Sequence, residues 1–135
     1  MRTSQALMMS LVAFSLNAYA FEAQVNYMLQ CMGCHAPDGR GEPGHVPSVR
    51  ANLLPFAKLT AGRSYLVQVP GAAQSTLSDA ELARLLNWMI SNLSATKSAG
   101  FNRFTEAEVA RYRRTPLVQV TATRNALLKE LNVSP

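Results

Sequence analysis

Apolar residues recur at helical spacing in several segments of the chain, and no segment sustains the alternation of a β-strand. The clearest segment runs from Ser78 to Leu93, where leucine, methionine and isoleucine return every three or four positions. Ser78 and Glu81 form a Ser-x-x-Glu capping box, which is typical of a helix N-terminus. We therefore predict an amphipathic helix over this segment, with one broad apolar face.

Further helices are predicted on both sides of this segment. Residues from Phe21 to Gln30 carry apolar side chains at mixed helical spacing. Thr105 and Glu108 form a second capping box, which opens a helix that ends before Pro116. A last helix is predicted from Thr123 to Leu131, so the chain is predicted to be all-α.

The segments between these helices are less regular. Ala36 to Pro47 is predicted to be a loop because glycine and proline crowd it. Val49 to Leu59 is ambiguous and fits a short helix broken at Pro55. Arg63 to Val69 fits either a short helix or an extended stretch, and Ser94 to Gly100 is a polar linker.

The first 20 residues are typical of an export signal. Arg2 supplies weak positive charge, residues 6–16 are apolar apart from two serines, and Ala18-Tyr19-Ala20 fits the small-x-small cleavage rule. The apolar run is shorter than the roughly 20 residues that span a bilayer, and no later segment is long and apolar enough. We predict cleavage after Ala20 and export of a soluble chain that begins at Phe21.

The length and charge of the chain limit the classes of protein to which it can belong. Without the signal, its 135 residues reduce to one small domain. The net charge of +5 is spread along the sequence, which fits either steering toward an acidic partner or ordinary solubilising charge. Nucleic-acid binding is not expected, because an exported chain without an aromatic-basic motif does not match that class.

Cys31-Met32-Gly33-Cys34-His35 is a C-x-x-C-H motif, at which haem is attached covalently in c-type proteins. The two thiols bond the vinyl groups of the haem as thioethers, and the adjacent histidine becomes the proximal iron ligand. Cys31, Cys34 and His35 are therefore the predicted cofactor-binding residues for one covalently attached haem c, and His35 is the predicted metal ligand.

The sequence gives less support to two other uses of a C-x-x-C pair, a zinc site and a redox-active dithiol. A zinc site needs two more Cys or His ligands, whereas the chain has no third cysteine and its only other histidine is His45. A thioredoxin-like pair belongs to a βαβ pattern, which is missing here. A haem-free dithiol oxidoreductase using Cys31 and Cys34 stays open as a hypothesis, and it would be colourless.

From Phe21 to Leu93 the chain resembles the class I c-type cytochromes of the bacterial periplasm. The resemblance rests on an aromatic residue four positions before the first cysteine, a DGxG-like loop, a proline after it and an aromatic in the long helix: Tyr27, residues 38–41, Pro47 and Trp88. It implies that the Pro47 carbonyl accepts the ring N–H of His35 and that Trp88 faces the N-terminal helix. Ala23 stands where the family often has glycine.

The resemblance implies a cytochrome c-like helical fold around one haem over residues 21–93. Residues 94–135 lie outside it as a helical C-terminal extension. We expect apolar residues of the extension to pack on the haem domain: Phe101, Phe104, Val109, Tyr112, Leu117 and Val118. The alternative is a docking arm for a partner, built on Arg111, Arg113 and Arg114.

The sequence departs from the family on the distal side of the haem. The family's distal methionine usually precedes the Ser78 helix, but residues 69–76 contain neither methionine nor histidine. Met28 and Met32 lie around the proximal motif. The candidates for the sixth ligand are therefore Met89, His45, Gln74, water or an open position.

These expectations describe an exported mono-haem cytochrome that carries single electrons. It is not expected to be an enzyme, because no acid–base pair for substrate chemistry is visible. The family implies a periplasmic dehydrogenase as electron donor and a terminal oxidase or another cytochrome as acceptor, and a monomer is the default. The missing loop methionine motivates an alternative, a haem-based binder of NO or CO with an open or weakly ligated distal site.

Overall fold

The computed structural model describes residues 19–96 and 100–133, and over these ranges the protein is helical without a β-sheet. The predicted all-α fold is confirmed. The helices in chain order are α1 over residues 19–30, α2 Val49–Ala57, α3 Thr60–Gln68, α4 Pro70–Ala73, α5 Asp79–Leu93, α6 Glu106–Arg113 and α7 Val120–Glu130.

The predicted export signal lies mostly outside the described residues. Its last two residues, Tyr19 and Ala20, are the first two described residues of α1. Within the described ranges, no helix combines the length and the apolar character that a membrane crossing requires.

Helix α5 is the centre of the fold, and its predicted capping box is present. The Ser78 hydroxyl accepts from the Glu81 backbone N–H, and the Glu81 carboxylate accepts from the Ser78 backbone N–H. One face of α5 is buried in the core as predicted: Leu82, Leu85, Leu86, Met89, Ile90 and Leu93. This helix therefore organises the packing of its neighbours.

Helix α1 packs against α5 through aromatic side chains. The rings of Tyr27 and Trp88 lie 5.6 Å apart, which confirms that Trp88 faces the N-terminal helix. Ala23 is buried, and Arg84 pairs with Glu22 at 3.1 Å on the same side of α1. A small residue at position 23 thus suits the close contact of α1 with the core.

Helix α2 is not broken at Pro55, so that prediction is wrong. Pro55 lies in the last turn of α2, where its missing N–H interrupts little of the hydrogen-bond ladder. Leu53, Leu54 and Phe56 are buried on both sides of the proline and hold the turn in place. The ambiguous segment from Arg63 to Val69 is resolved as helix, within α3.

The C-terminal helices pack into the same core, as we expected of the extension. Phe104, Val109, Leu127 and Leu128 are buried in the cluster that contains the face of α5. Val118 is the exception, because it is 82% exposed. The last helix begins three residues earlier than predicted and ends one residue earlier.

The second capping box is only half formed. The Thr105 hydroxyl accepts from the backbone N–H of Glu108 at 3.2 Å. The Glu108 carboxylate does not return to Thr105, because it forms an ion pair with Arg63 of α3 instead. A tertiary contact has thus replaced the local one.

Candidate cofactor site

The C-x-x-C-H segment is a tight turn that continues from the end of α1. The backbone N–H of Cys31 donates to the Tyr27 carbonyl at 2.9 Å, and the N–H groups of Cys34 and His35 both donate to the Cys31 carbonyl. The two cysteines are free thiols; Cys31 is half-buried and Cys34 is exposed. The local geometry brings Cys31, Cys34 and His35 to one side of the turn.

All three of these side chains line one cavity, whose volume is about 400 Å³. That volume lies within the range of about 300–1,000 Å³ that is usual for small-molecule and cofactor sites. Most of the lining is apolar and comes from α2, α3 and α5: Leu53, Phe56, Leu66, Leu82, Leu85, Leu86 and Met89. The motif therefore opens onto a space that favours a large apolar ligand.

His35 contributes a buried ring nitrogen to this site. Its Nδ1 atom is buried and has no hydrogen-bond partner among the described residues. The bond to the Pro47 carbonyl that the resemblance implies is therefore not formed in this structure, although Pro47 lines the same cavity. Burial also lowers the pKa of His35 and so favours its neutral ring, which is the form that binds metals.

The Cys31 thiol has an unreactive environment. Burial raises its pKa to about 11, and the neighbouring Cys34 adds to the rise. Catalytic and redox cysteines have a lowered pKa instead, because only the thiolate is nucleophilic. This environment counts against a haem-free dithiol oxidoreductase.

The loop after the motif is held against the cavity by two features. The Tyr27 hydroxyl donates to the Ala36 carbonyl at 2.7 Å and so fixes the chain directly after His35. Gly41 lies against the backbone of Val46 and Pro47, where an added Cβ would overlap the Val46 carbonyl oxygen. A residue without a side chain is thus required for Pro47 to approach the site.

The segment before α5 forms another part of the wall with small side chains. Gly71, Ala72 and Ser75 line the cavity there, and Gln74 is not among the lining residues. Arg113 of α6 holds this segment by donating to the carbonyl oxygens of Leu77 and Ser75. The Arg113 side chain is only 15% exposed and anchors this segment, whereas the docking-arm alternative would use it to bind a partner.

The candidates for the sixth ligand are sorted by the cavity lining. Met89 and His45 both line the cavity, with Met89 buried in the core and His45 exposed. Met28 is exposed on α1, and neither it nor Met32 is among the lining residues. Met89 is thus the one methionine of the described residues in a position to face a bound cofactor.

Sequence reasoning missed several residues that the rest of the fold brings to the cavity. Asn52 of α2, Tyr65 of α3, and Val120 and Arg124 of α7 all line it. A signal for the last two was present, since positions 120, 124 and 128 share one face of a helix and Leu128 is buried. The C-terminal extension is therefore part of the site.

These residues fit a covalently attached haem. The chain presents two free thiols and an imidazole with an unpartnered, buried Nδ1 to a cavity whose walls are mainly apolar. Thiols and an imidazole are the donor set of a c-type site. No group of three or more His, Cys, Asp or Glu side chains that suits a metal ion occurs within the described residues.

Two curated proteins are similar to the chain. Each is a cytochrome c-552, one from Thermus thermophilus and one from a particular strain of the same species, and each is 31% identical over 119 residues. The similarity covers 73% of this chain, 91% of the first relative and 80% of the second. No family model matches the chain, and no solved structure does.

Proposed function

Since the chain belongs to the c-type cytochromes, we propose that it is an exported mono-haem class I cytochrome that carries single electrons between periplasmic redox partners. The observation that carries the proposal is the convergence of Cys31, Cys34 and His35 on one cavity with mainly apolar walls. Membership of this family favours an electron carrier over an enzyme. It does not favour the alternative of a haem-based binder of NO or CO.

The class I assignment is supported by how α1 meets α5. The contact between Tyr27 and Trp88 joins α1, which precedes the motif, to α5, which follows residues 69–76. The bond from Tyr27 to the Ala36 carbonyl ties the same contact to the chain after His35. An aromatic junction of this kind keeps the motif in register with the apolar face of α5.

The proposed roles of the three motif residues follow from their chemistry. Cys31 and Cys34 attach the haem through thioether bonds, and His35 coordinates the iron through one ring nitrogen. The bound haem supplies a one-electron couple between ferric and ferrous iron. The apolar residues of α2, α3 and α5 exclude water from the cofactor and so influence its reduction potential.

The setting and the partners are also part of the proposal. The sequence pattern of residues 1–20 supports export and cleavage after Ala20, and covalent haem attachment in bacteria takes place outside the cytoplasmic membrane. We propose a periplasmic dehydrogenase as the donor, a terminal oxidase or another cytochrome as the acceptor, and a monomeric carrier. Residues 21–93 form the cytochrome domain and 94–135 its extension.

The test is to produce the chain in a host with the cytochrome c maturation machinery and measure its intact mass and optical spectrum. We expect one haem that stays attached in the denatured protein. The double variant Cys31→Ser/Cys34→Ser should lose covalent haem, whereas Met28→Leu, at an exposed position of α1, should keep it. A colourless wild-type protein whose two thiols react with iodoacetamide would contradict the proposal.

The same spectra address the sixth ligand. A far-red sulfur-to-iron band that disappears in Met89→Leu would assign Met89, and a low-spin spectrum without that band would indicate a nitrogen or another strong-field ligand. A high-spin ferric spectrum together with rapid CO binding to the ferrous protein would favour the ligand-binding alternative instead. Met32→Leu is the control, because Met32 is not among the lining residues.

A further inference from the structure

Three polar side chains that line the cavity have no role in the proposed haem attachment. Asn52, Tyr65 and Arg124 line the cavity from three different helices. Asn52 is 7% exposed and Tyr65 is 8% exposed. Polar groups that are buried at an apolar cavity are costly unless they find a partner, so these side chains call for a polar group of the ligand.

Two of these three side chains, Asn52 and Arg124, lack a partner within the described residues. The buried Oδ1 atom of Asn52 has no hydrogen-bond partner there. Arg124 forms no ion pair within residues 19–96 and 100–133, and none of the cavity-lining residues is aspartate or glutamate. A half-buried guanidinium thus faces a cavity to which the chain contributes no carboxylate.

Arg124 and Tyr65 lie near each other although they come from α7 and α3. Burial raises the pKa of the Tyr65 hydroxyl, and the positive charge of Arg124 opposes that rise. Both side chains line the same cavity, and helices α3 and α7 are in contact. A guanidinium and a phenol hydroxyl are both hydrogen-bond donors at neutral pH. Together they suit a carboxylate, which a guanidinium binds through two parallel N–H···O bonds.

We propose that Arg124 and Tyr65 bind a propionate carboxylate of the haem, so that α7 of the C-terminal extension is a cofactor-binding element. This inference rests on the proposed haem attachment. It gives the extension a function beyond packing, because the charge of Arg124 is held beside the redox centre. A fixed positive charge favours the reduced state of a nearby centre and therefore raises its reduction potential.

The test compares the reduction potentials of matched charge variants of the holoprotein. Arg124→Gln removes the proposed contact, and Lys129→Gln removes the same charge from an exposed position of α7 that does not line the cavity. We expect Arg124→Gln to disfavour the ferrous form by on the order of tenfold, which corresponds to about 59 mV for one electron. Lys129→Gln should leave the potential close to that of the wild type.

Arg124→Lys keeps the charge but loses the planar fork, so its potential should lie between those of the wild type and Arg124→Gln. If Arg124→Gln yields no holoprotein, the test rests on the reduction potential of Arg124→Lys compared with that of its control, Lys129→Arg. If the Arg124 variants carry haem and have the same reduction potentials as their Lys129 controls, this inference is overturned and the proposed function is not. A wild-type chain that takes up no haem would overturn the proposed function and this inference together.

Discussion

The cavity has one wall that is built locally and another that depends on distant contacts. The wall with Cys31, Cys34 and His35 is a turn whose backbone N–H groups donate to carbonyls three to five residues earlier. The Tyr27 hydroxyl supports this turn by donating to the Ala36 carbonyl, nine residues later. Such a segment takes its shape from its own short sequence.

The C-terminal helices are held by contacts between residues far apart in the chain. Arg63 reaches Glu108 across 45 residues, and Arg113 reaches back to Asp79 across 34. These contacts hold α6 against α3 and α5, and α7 packs on α3 and brings Arg124 to the cavity. The first wall is held by local backbone bonds and the second by long-range side-chain contacts. We therefore expect the loss of a single long-range contact to lower the stability of the protein more than the loss of a local one.

The largest loss of stability is expected from substitution of Arg63. Its guanidinium donates to both carboxylate oxygens of Glu108, and also to the carbonyls of Ala57 and Asn102. The two charged side chains are only 12% and 15% exposed, so Arg63→Ala leaves Glu108 largely buried without its partner. Breaking a buried pair costs roughly 3–5 kcal/mol, and we expect about 3 kcal/mol because some solvent contact remains.

Urea denaturation of the holoprotein measures this change in the free energy of unfolding. Arg103→Ala removes a positive charge from an exposed position and should change stability by less than about 0.5 kcal/mol. The double variant Arg63→Met/Glu108→Leu should recover much of the loss, because no buried charge is left unpaired. Similar losses for Arg63→Ala and Arg103→Ala would show that the ion pair does not hold the extension.

The same contrast explains which residues the sequence reveals. Cys31, Cys34 and His35 were predicted because their spacing alone specifies the chemistry, and the Ser78 cap because its partner lies three residues away. The role of Arg113 as an internal anchor was missed, because a run of arginines is typical of a solvated face. Its position four residues after Val109, on the buried side of α6, was the available signal.

Tyr65 was beyond local reasoning, and the spacing of positions 120, 124 and 128 placed Arg124 on a helix face without showing what that face meets. Each lies in an unremarkable helical stretch, and only the packing of α7 against α3 brings them together at the cavity. The failed expectation at Pro55 has a similar origin. Burial of Phe56 and its neighbours outweighs the local preference of proline to end a helix.

A smaller effect is expected at Asn87, which joins α5 to the start of the C-terminal segment. Its amide donates to the Phe104 carbonyl at 2.9 Å and accepts from the Phe104 backbone N–H at 2.8 Å, and the side chain is buried. Asn87→Ala leaves both backbone groups buried and unpaired. An unsatisfied buried group costs about 1–3 kcal/mol, and we expect about 2 kcal/mol for this variant.

The control for Asn87 lies on the same helix. Asn92 is exposed and donates to the Trp88 carbonyl one turn earlier, so Asn92→Ala removes a local bond of similar length. Thermal unfolding and limited proteolysis of the C-terminal segment should both single out Asn87→Ala. Equal stability of the two variants would mean that the contact to Phe104 contributes nothing beyond a surface bond.

The smallest effect belongs to a local contact, the cap of α5. Ser78→Ala removes the hydroxyl that accepts from the Glu81 backbone N–H. Loss of an N-cap serine costs about 1 kcal/mol. Ser91→Ala, at an exposed site within the same helix, provides the control and should be close to neutral.

The difference in the free energy of unfolding between wild type and Ser78→Ala should depend on pH, and this dependence distinguishes loss of the cap from a general loss of packing. The Ser78 hydroxyl and the Ser78 backbone N–H both donate to the Glu81 carboxylate and lower its pKa in the folded state. A carboxyl group with a lowered folded pKa stabilises the protein above its unfolded pKa of about 4.3, and that contribution is lost as pH falls through the folded value. Because Ser78→Ala keeps only the backbone bond, the stability difference between wild type and variant should narrow on acidification. A difference that stays constant from neutral pH down to pH values below the folded pKa would assign the effect of Ser78 to the hydroxyl bond with the Glu81 N–H alone.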